Sequence, residues 1–483
     1  MEVDAMPAMT LRTGAAAAIA AMLIPSVISA AESENPRTDW FREAGYGVFV
    51  HYLAGLQNNR EQLNSLGRET SWDECVREFD TELFARQMEE AGARYVIFTV
   101  MQISRFMIAP NATFDRISGY KPGEACATRD LISDLYDSLA RRDIRLMLYW
   151  TGDGPRGDAK AGPAFSWKEP VTKEFVTKWA SVAREYGERY GEKVCGWWVD
   201  GSYPFIGYDD EKLGIMANAL RAGNPNRIVA LNPGVEAKVS AYSKHEDYTC
   251  GEQNVFHDMP VARFIKGEQW HILSYLGTWW GAPGCKYAKR EIGEYVFDVN
   301  RRGGVVSIDV MLYRDGSLDR SQLELLKAVK SERENGRNRD PIPPGNVAFR
   351  KPAKLLSLDC THELVVNSGV HFARNGVDGR MDTVAQGAEE WPWTYEVDLL
   401  DTVKARRVKA TFSSGYPTRL EIRLSADGKE WKTVAAADNH DGKPFEAQFD
   451  AMPTRYVRVL SIKPDGPGQP GIQMAVSELE VYE

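Results

Sequence analysis

The sequence predicts a (β/α)8 barrel followed by an antiparallel, jelly-roll-like β-sandwich. Three observations carry this. Between residues 46 and 310, eight short apolar runs each give way to a polar turn and most lead into a helical pattern. Buried parallel strands read as near-continuous apolar runs, and their alternation with helices is the signature of this barrel. Beyond residue 345 the runs alternate apolar with polar residues, as strands of an antiparallel sandwich do. A doubly wound open sheet would want a glycine-rich phosphate loop after its first strand, where this chain reads His51-Tyr52-Leu53-Ala54-Gly55.

The elements follow in order. Arg12 precedes the apolar stretch Ala15 to Ile24, and Ser29-Ala30-Ala31 supplies a small-residue cleavage site. Residues 1–31 therefore read as a signal peptide, and the protein as exported to the periplasm or the exterior. That stretch is too short to span a membrane comfortably and no later one does better, so no membrane span is expected. The barrel is assigned to residues 32–332, with strands at Tyr46–Tyr52, Tyr95–Met101, Arg145–Thr151 and Val194–Asp200 in its first half. Arg227–Gly234, Tyr248–Gln253, Trp270–Gly277 and Gly304–Val310 complete it. Helical patterns lie between them at Thr81–Ala91, Arg129–Arg142, Val171–Tyr190, Asp209–Ala222 and, last, Arg320–Glu332; Thr128 reads as the N-cap of the second. Residues 333–345, RENGRNRDPIPPG, form a polar linker that cannot remain helical past Pro341. The sandwich occupies 346–483, with strands at Trp393–Leu399, Arg407–Phe412, Arg419–Ser425, Thr454–Ile462 and Ala475–Tyr482, and a turn at Asp427-Gly428.

A chain of 483 residues is too long for one ordinary domain, in keeping with this division. Its net charge of −9 and lack of a basic run argue against nucleic-acid binding. The six cysteines show no CxxC spacing, which argues against a zinc site. Cys195 and Cys250 fall in predicted strands, where buried free thiols are expected, although an exported chain could pair some of its cysteines.

In such a barrel the C-terminal ends of the strands converge on one face, where chemistry is built. The first strand brings His51, the third Tyr149 and Trp150, the fourth Trp198 and Asp200. Asn232 follows from the fifth, Glu252 from the sixth, and Tyr275 with Trp279 and Trp280 from the seventh. Two carboxylates from different strands, framed by aromatic faces, are what glycoside hydrolysis needs. Asp153 reads equally as a site residue and as a turn former; His257 and Asp258 lie in a loop near Glu252 from which they could reach the site, with surface placement the expectation.

The barrel resembles the α-L-fucosidases of glycoside hydrolase family 29. The resemblance rests on Trp40-Phe41 with YGVFVHY, AGARYVIFT (91–99), TRDLISDLYDSLARRDIRLMLYW (128–150), WWVDGS (197–202) and GGVVSIDVMLYRDGSLD (303–319). It implies an exo-glycosidase of retaining mechanism acting on an oligosaccharide or glycoconjugate without a catalytic cofactor. Asp200 would be the nucleophile and Glu252 the acid/base, with Glu268 and then Glu246 as the other candidates. One segment departs from the family. Where fucosidases carry His-His-Asp-Gly-Phe after the second strand, this chain reads Met101-Gln102-Ile103-Ser104-Arg105-Phe106, and the family's Glu-Trp pair becomes Ser71-Trp72. A site that loses hydroxyl-binding groups should change specificity. Gln102, Arg105 and Trp72 thus join His51, Trp150, Trp198, Asn232, Tyr275, Trp279 and Trp280 as expected substrate-binding residues. A guanidinium there suits an acidic sugar. Two alternatives to a fucosidase stay open: a glycosidase for a different, acidic sugar, and a glycan-binding protein without catalysis.

The C-terminal region resembles discoidin-type modules, including carbohydrate-binding module family 32. It does so through NGVDGRMDT (375–383), WTYEVDL (393–399), LSADGKEW (424–431), RYVRV (455–459) and SELEVY (477–482). The resemblance implies a structural calcium held by Asp378, Asp382 and Glu478, and leaves open whether the module binds glycans or buttresses the barrel.

Overall fold

The structure, a computed structural model, describes residues 35–483 apart from 237, 261, 336–344, 364–372, 387–392, 414 and 464–473. The expected signal peptide and most of the linker lie outside the described residues. Among the described residues no helix is long and apolar enough to cross a membrane.

Seven strands form one parallel sheet: β1 Tyr46–Val50, β2 Tyr95–Thr99, β3 Arg145–Thr151, β4 Val194–Asp200, β5 Ile228–Leu231, β6 His271–Tyr275 and β7 Val305–Val310. Their order is β5-β4-β3-β2-β1-β7-β6. The sheet curls on itself, since Phe49 of β1 meets Trp198 of β4 at 5.6 Å between ring centroids although two strands separate them. The sixth expected strand, Tyr248–Gln253, is a correction. It makes only isolated parallel bridges, Tyr248 to Gln269 and Glu252 to Leu273. Gly251 breaks the extended run with φ +63, a conformation L side chains rarely adopt. The segment still fills the gap between β5 and β6. Asp247 N–H donates to Val229 O at 2.8 Å, and Gln253 N–H to Leu273 O at 2.9 Å.

Side chains alternate between two cores. Those facing the barrel interior include Phe49, Ile97, Tyr149, Trp198, Ala230 and Leu273. Their neighbours Val48, Phe98, Leu148, Trp150, Trp197 and Ile272 pack outward against the helices. The helices carry their own start signals. Ser71 and Glu74 make a capping box at Trp72–Glu78, and Asp80 caps Thr81–Ala91. The helix expected from Arg129 begins at Leu131 and is capped by Asp130, whose side chain accepts from Ser133 N–H. Thr128 instead donates its hydroxyl to Asp73 at 2.7 Å.

The C-terminal region is an antiparallel sandwich with its own core, including Trp393, Tyr395, Val408, Ile422, Val459 and Leu479. The expected runs Trp393–Leu399 and Arg407–Phe412 belong to one strand, Trp393–Phe412, which pairs with Phe445–Lys463 through two register shifts. Such bulges bend a strand, letting it serve both layers of a sandwich. Arg380–Glu294 (2.7 Å) and Arg374–Glu291 (2.8 Å) tie the sandwich to the barrel helix Lys289–Arg301. All six cysteines are free; Cys75, Cys126 and Cys250 are buried and Cys195 half-buried.

Candidate active site

Parity along β4 decides what reaches the barrel mouth. Trp198 faces inward, so Asp200 does too, whereas Trp197 turns outward and donates its indole N–H to Leu220 O. The Asp200 carboxylate is held from three strand ends. Tyr149 donates to its Oδ2 at 2.7 Å, and Tyr203 and Asn232 donate to its Oδ1 at 2.7 and 3.0 Å. Gln102 Nε2 approaches Oδ2 at 3.4 Å. Burial and the adjacent Asp200 raise both tyrosine hydroxyls, so they remain protonated donors.

The same Asn232 Nδ2 donates to Glu252 Oε2 at 2.7 Å. Two carboxylate oxygens sharing one nitrogen can be no further apart than those two bonds laid end to end. Such proximity is compatible with the about 5–5.5 Å that separates the carboxyl groups of a retaining pair. Burial, with the Asp200 charge second, pushes the Glu252 carboxyl up to about 7.

His51 continues the inward parity of Phe49, and its Nδ1 sits 2.8 Å from Asp309 Oδ1. A carboxylate partner makes Nδ1 the proton-bearing nitrogen, leaving Nε2 for the cavity. Asp309 Oδ2 also accepts Gly281 N–H at 2.7 Å, tying β7 to the loop that carries Trp279 and Trp280. The cavity enclosed by these groups measures about 400 Å³, within the range of small-molecule sites. Its apolar walls come from Phe49, Leu53, Leu56, Leu273, Trp279 and Trp280. His51, Gln102, Tyr149, Trp198, Asp200 and Glu252 complete the lining.

Several expected site residues lie elsewhere. Trp150 has outward parity and stacks on Trp179 at 4.7 Å in the barrel-to-helix core. Trp72 is buried there too, donating its indole N–H to Met107 O at 2.8 Å. Tyr275 stands behind Trp280, ring centroids 4.8 Å apart, and does not itself line the cavity. Arg105 pairs with Asp158 at 2.9 Å and lies over the rings of Phe106 and Tyr120; it too is outside the lining. Glu246 accepts the backbone N–H groups of Ser243, Tyr242 and Leu231, and Glu268 sits in the short hairpin before β6; neither lines the cavity.

Sequence reasoning missed Tyr203 and Asp309. Tyr203 was hidden because it returns to Asp200 around Gly201, whose φ is +60. Asp309 lies inside the expected strand Gly304–Val310, and nothing in that run marks it as the partner of His51. Asp153, read as a turn former, is buried and pairs with Arg156 at 2.8 Å; burial pushes its carboxyl up to about 6. Asp258 is also buried, accepting Val239 N–H at 2.8 Å.

In the sandwich, Asp378 and Glu478 are brought together and Asp382 is not. Thr383 Oγ1 lies within 3.5 Å of both Asp378 carboxylate oxygens and of the Asn375 and Arg380 carbonyls. Glu478 accepts Gly379 N–H through Oε2 at 3.0 Å, while its buried Oε1 has no hydrogen-bond partner among the described residues. Asp382 is largely exposed and bound to Arg380. Among the described residues no three His, Cys, Asp or Glu side chains gather as a metal site. A cation here would thus draw on carbonyl and hydroxyl oxygens as well, which calcium accepts. A larger cavity of about 490 Å³ opens between barrel and sandwich and shares no lining residue with the carboxylate pair.

The family model for alpha-L-fucosidase matches residues 24–331. The one for the NedA-like, galactose-binding domain matches 375–459. No curated protein matches the chain. Among solved structures, a Ruminococcus gnavus GH29 fucosidase in complex with fucose is 13% identical, covering 93% of this chain and 94% of its own at a TM-score of 0.43. The alpha-L-fucosidase AlfC of Lactobacillus casei, in complex with alpha-L-fucose product, is 15% identical over 63% of this chain and 100% of its own, TM-score 0.45. A chitosan-binding module from a Paenibacillus sp. IK-5 chitosanase/glucanase is 26% identical over 29% of this chain and 98% of its own, TM-score 0.25.

Proposed function

Since the chain belongs to the alpha-L-fucosidase family and is a glycoside hydrolase, we propose that it is a retaining exo-glycosidase with Asp200 as nucleophile and Glu252 as acid/base. The observation that carries this is the single Asn232 nitrogen shared by the two carboxylates. In the first step Asp200 attacks the anomeric carbon, the glycosidic C–O bond breaks, and the Glu252 proton passes to the leaving oxygen. A glycosyl ester of Asp200 results. In the second, Glu252 takes a proton from water, whose oxygen attacks the same carbon and expels Asp200, so the configuration is kept. A carboxyl at about 7 suits both roles near neutral pH.

The glycone is a neutral, partly apolar sugar such as a deoxyhexose. Leu53, Leu56, Leu273 and Trp280 favour this, with His51 Nε2 and Gln102 to meet its hydroxyls. The acidic-sugar reading loses its motive, because the Arg105 guanidinium is engaged by Asp158. With Gln102 in place of the family's histidines, hydroxyl recognition is altered from the usual fucosidase pattern. Asp378, Glu478 and Thr383 would hold a structural calcium in the sandwich, with no part in the chemistry. Export follows from the leader-like residues 1–31, and cell fractionation tests it.

Proton NMR of the first sugar released from an aryl α-L-fucoside tests the mechanism. Release as the α-anomer, abolished in Asp200→Ala, is expected. Release as the β-anomer would sink the retaining assignment. Binding without turnover would favour the glycan-binding alternative.

A further inference from the structure

Asp309 lies in β7 behind the cavity, 1% exposed, and both of its carboxylate oxygens are engaged. Oδ1 faces His51 Nδ1 at 2.8 Å, and Oδ2 accepts Gly281 N–H at 2.7 Å. His51 lines the cavity, and its Nε2 has no hydrogen-bond partner among the described residues. Gly281 follows Trp279 and Trp280, which line the same cavity, and the Trp280 ring lies 5.9 Å from the His51 imidazole. One buried side chain therefore holds a polar part of the wall with one oxygen and an aromatic part with the other.

An ionised carboxylate can only accept. Burial pushes the Asp309 carboxyl up, while His51, the Gly281 N–H and the Lys286 ammonium all favour its charged form. Facing such an acceptor, a neutral His51 carries its proton on Nδ1 and presents a lone pair at Nε2. Only a donor can satisfy that lone pair. A sugar hydroxyl is one. An ether oxygen, an ester oxygen or a fluorine in its place brings a second acceptor, and neither buried group is then bonded.

We propose that Asp309 is a positioning residue that sets specificity: by fixing His51 as an acceptor, it makes the chain require a free, unsubstituted hydroxyl where the glycone meets His51. This rests on the glycosidase reading above. The two bonds of Asp309 also supply the means of reversing the preference. An amide at position 309 has one accepting and one donating end. The Gly281 N–H needs the accepting end, which turns the NH2 group towards His51. Nδ1 must then accept, and the imidazole proton moves to Nε2. The opposite orientation would set NH2 against the Gly281 N–H and leave buried donors unbonded, which costs more than the bond it would keep. Asp309→Asn, nearly the same in shape, thus converts His51 from acceptor to donor in place.

The test has two arms. Nitrogen-15 NMR at the pH of the assay reads the His51 tautomer in wild type and in Asp309→Asn, with the signal assigned by its loss in His51→Gln. A bare Nε2 is expected in the wild type and a proton-bearing one in the variant. The second arm measures kcat/KM on an aryl α-L-fucoside and on analogues with the hydroxyl at C2, C3 or C4 replaced by fluorine. Dividing each variant rate by the wild-type rate cancels intrinsic reactivity. Asp309→Asn is expected to lose about tenfold on the parent, and at one ring position its fluorine penalty should be at least about tenfold smaller than the wild type's. The other two positions should follow the parent. A proton on the wild-type Nε2 would overturn the proposal. So would fluorine penalties that match in the two enzymes at all three positions, since Asp309 would then only brace the wall. If Asp309→Asn does not fold, the wild-type spectrum decides alone. A wild type that turns over none of these substrates would fail the glycosidase reading, and the affinities of both enzymes for L-fucose and the fluorinated fucoses, measured by calorimetry, would then give the same ratios.

Discussion

Asn232 spends one amide nitrogen on two acids, which makes it the most exposed point of the site to mutation. Asn232→Leu, similar in shape but without the donor, removes a bond to each carboxylate. In the active form only the Asp200 partner is charged, and at about 1.5–3 kcal/mol for a bond to a charged group kcat/KM should fall between about tenfold and about 150-fold. The pH profile should move as well. Glu252 must be protonated to act as the acid, so wild-type kcat/KM falls as pH rises through about 7. The Asn232 donor stabilises the ionised form and holds that value down, so its loss should carry the alkaline limb to higher pH. A limb that stays or moves lower would count against Glu252 as the acid. Asp200 and Glu252 were legible in the sequence because a polar residue ending an apolar run stands at the barrel mouth. Trp150 was misread because a strand buried on both faces loses the alternation that reveals which side chains face inward.

Gly251 does for an element what Asn232 does for a pair of side chains. Its φ of +63 takes the sixth segment out of regular pairing just before Glu252. A Cβ at Gly251 would stand 2.0 Å from His271 O, a backbone atom of β6 that cannot swing aside. Gly251→Ala should therefore cost more than about 2 kcal/mol, seen as a lower midpoint in urea unfolding with little change in slope. Surviving folded enzyme should show a displaced alkaline limb, since Glu252 follows directly. An unchanged midpoint would mean that the segment yields locally. The sequence announced an apolar run here but could not announce the kink. One glycine inside YTCGEQ looks alike whether it lies in a strand or breaks one. The helix from Leu131 shows the same limit: Thr128 and Asp130 are both good caps, and only tertiary contacts send Thr128 to Asp73.

At the scale of the molecule, one short stretch of the sandwich has two tasks. Residues 374–383 supply the oxygen-rich cradle around Thr383, and the same stretch grips the barrel through Arg374–Glu291 and Arg380–Glu294. The likeness to discoidin modules singled out Asp378 and Glu478, but it also named Asp382, which lies apart, and gave no sign of Thr383. The grip was illegible, because which surface arginine meets which helix depends on how two separate cores dock. A cation in the cradle would order the loop and so couple the domains. A ligand at a hundredfold over its dissociation constant adds about 2.7 kcal/mol to folding. Differential scanning calorimetry in millimolar calcium should then show one cooperative transition, whereas chelation should split off a sandwich transition several degrees lower. Glu478→Gln, which keeps the side chain's shape but removes its charge, should behave like the chelated protein in either buffer. Activity at moderate temperature should stay within about twofold throughout, because none of these residues lines the carboxylate cavity. Identical traces with calcium and chelator would show that the cradle holds no metal and that contacts such as the two arginine pairs join the domains without it.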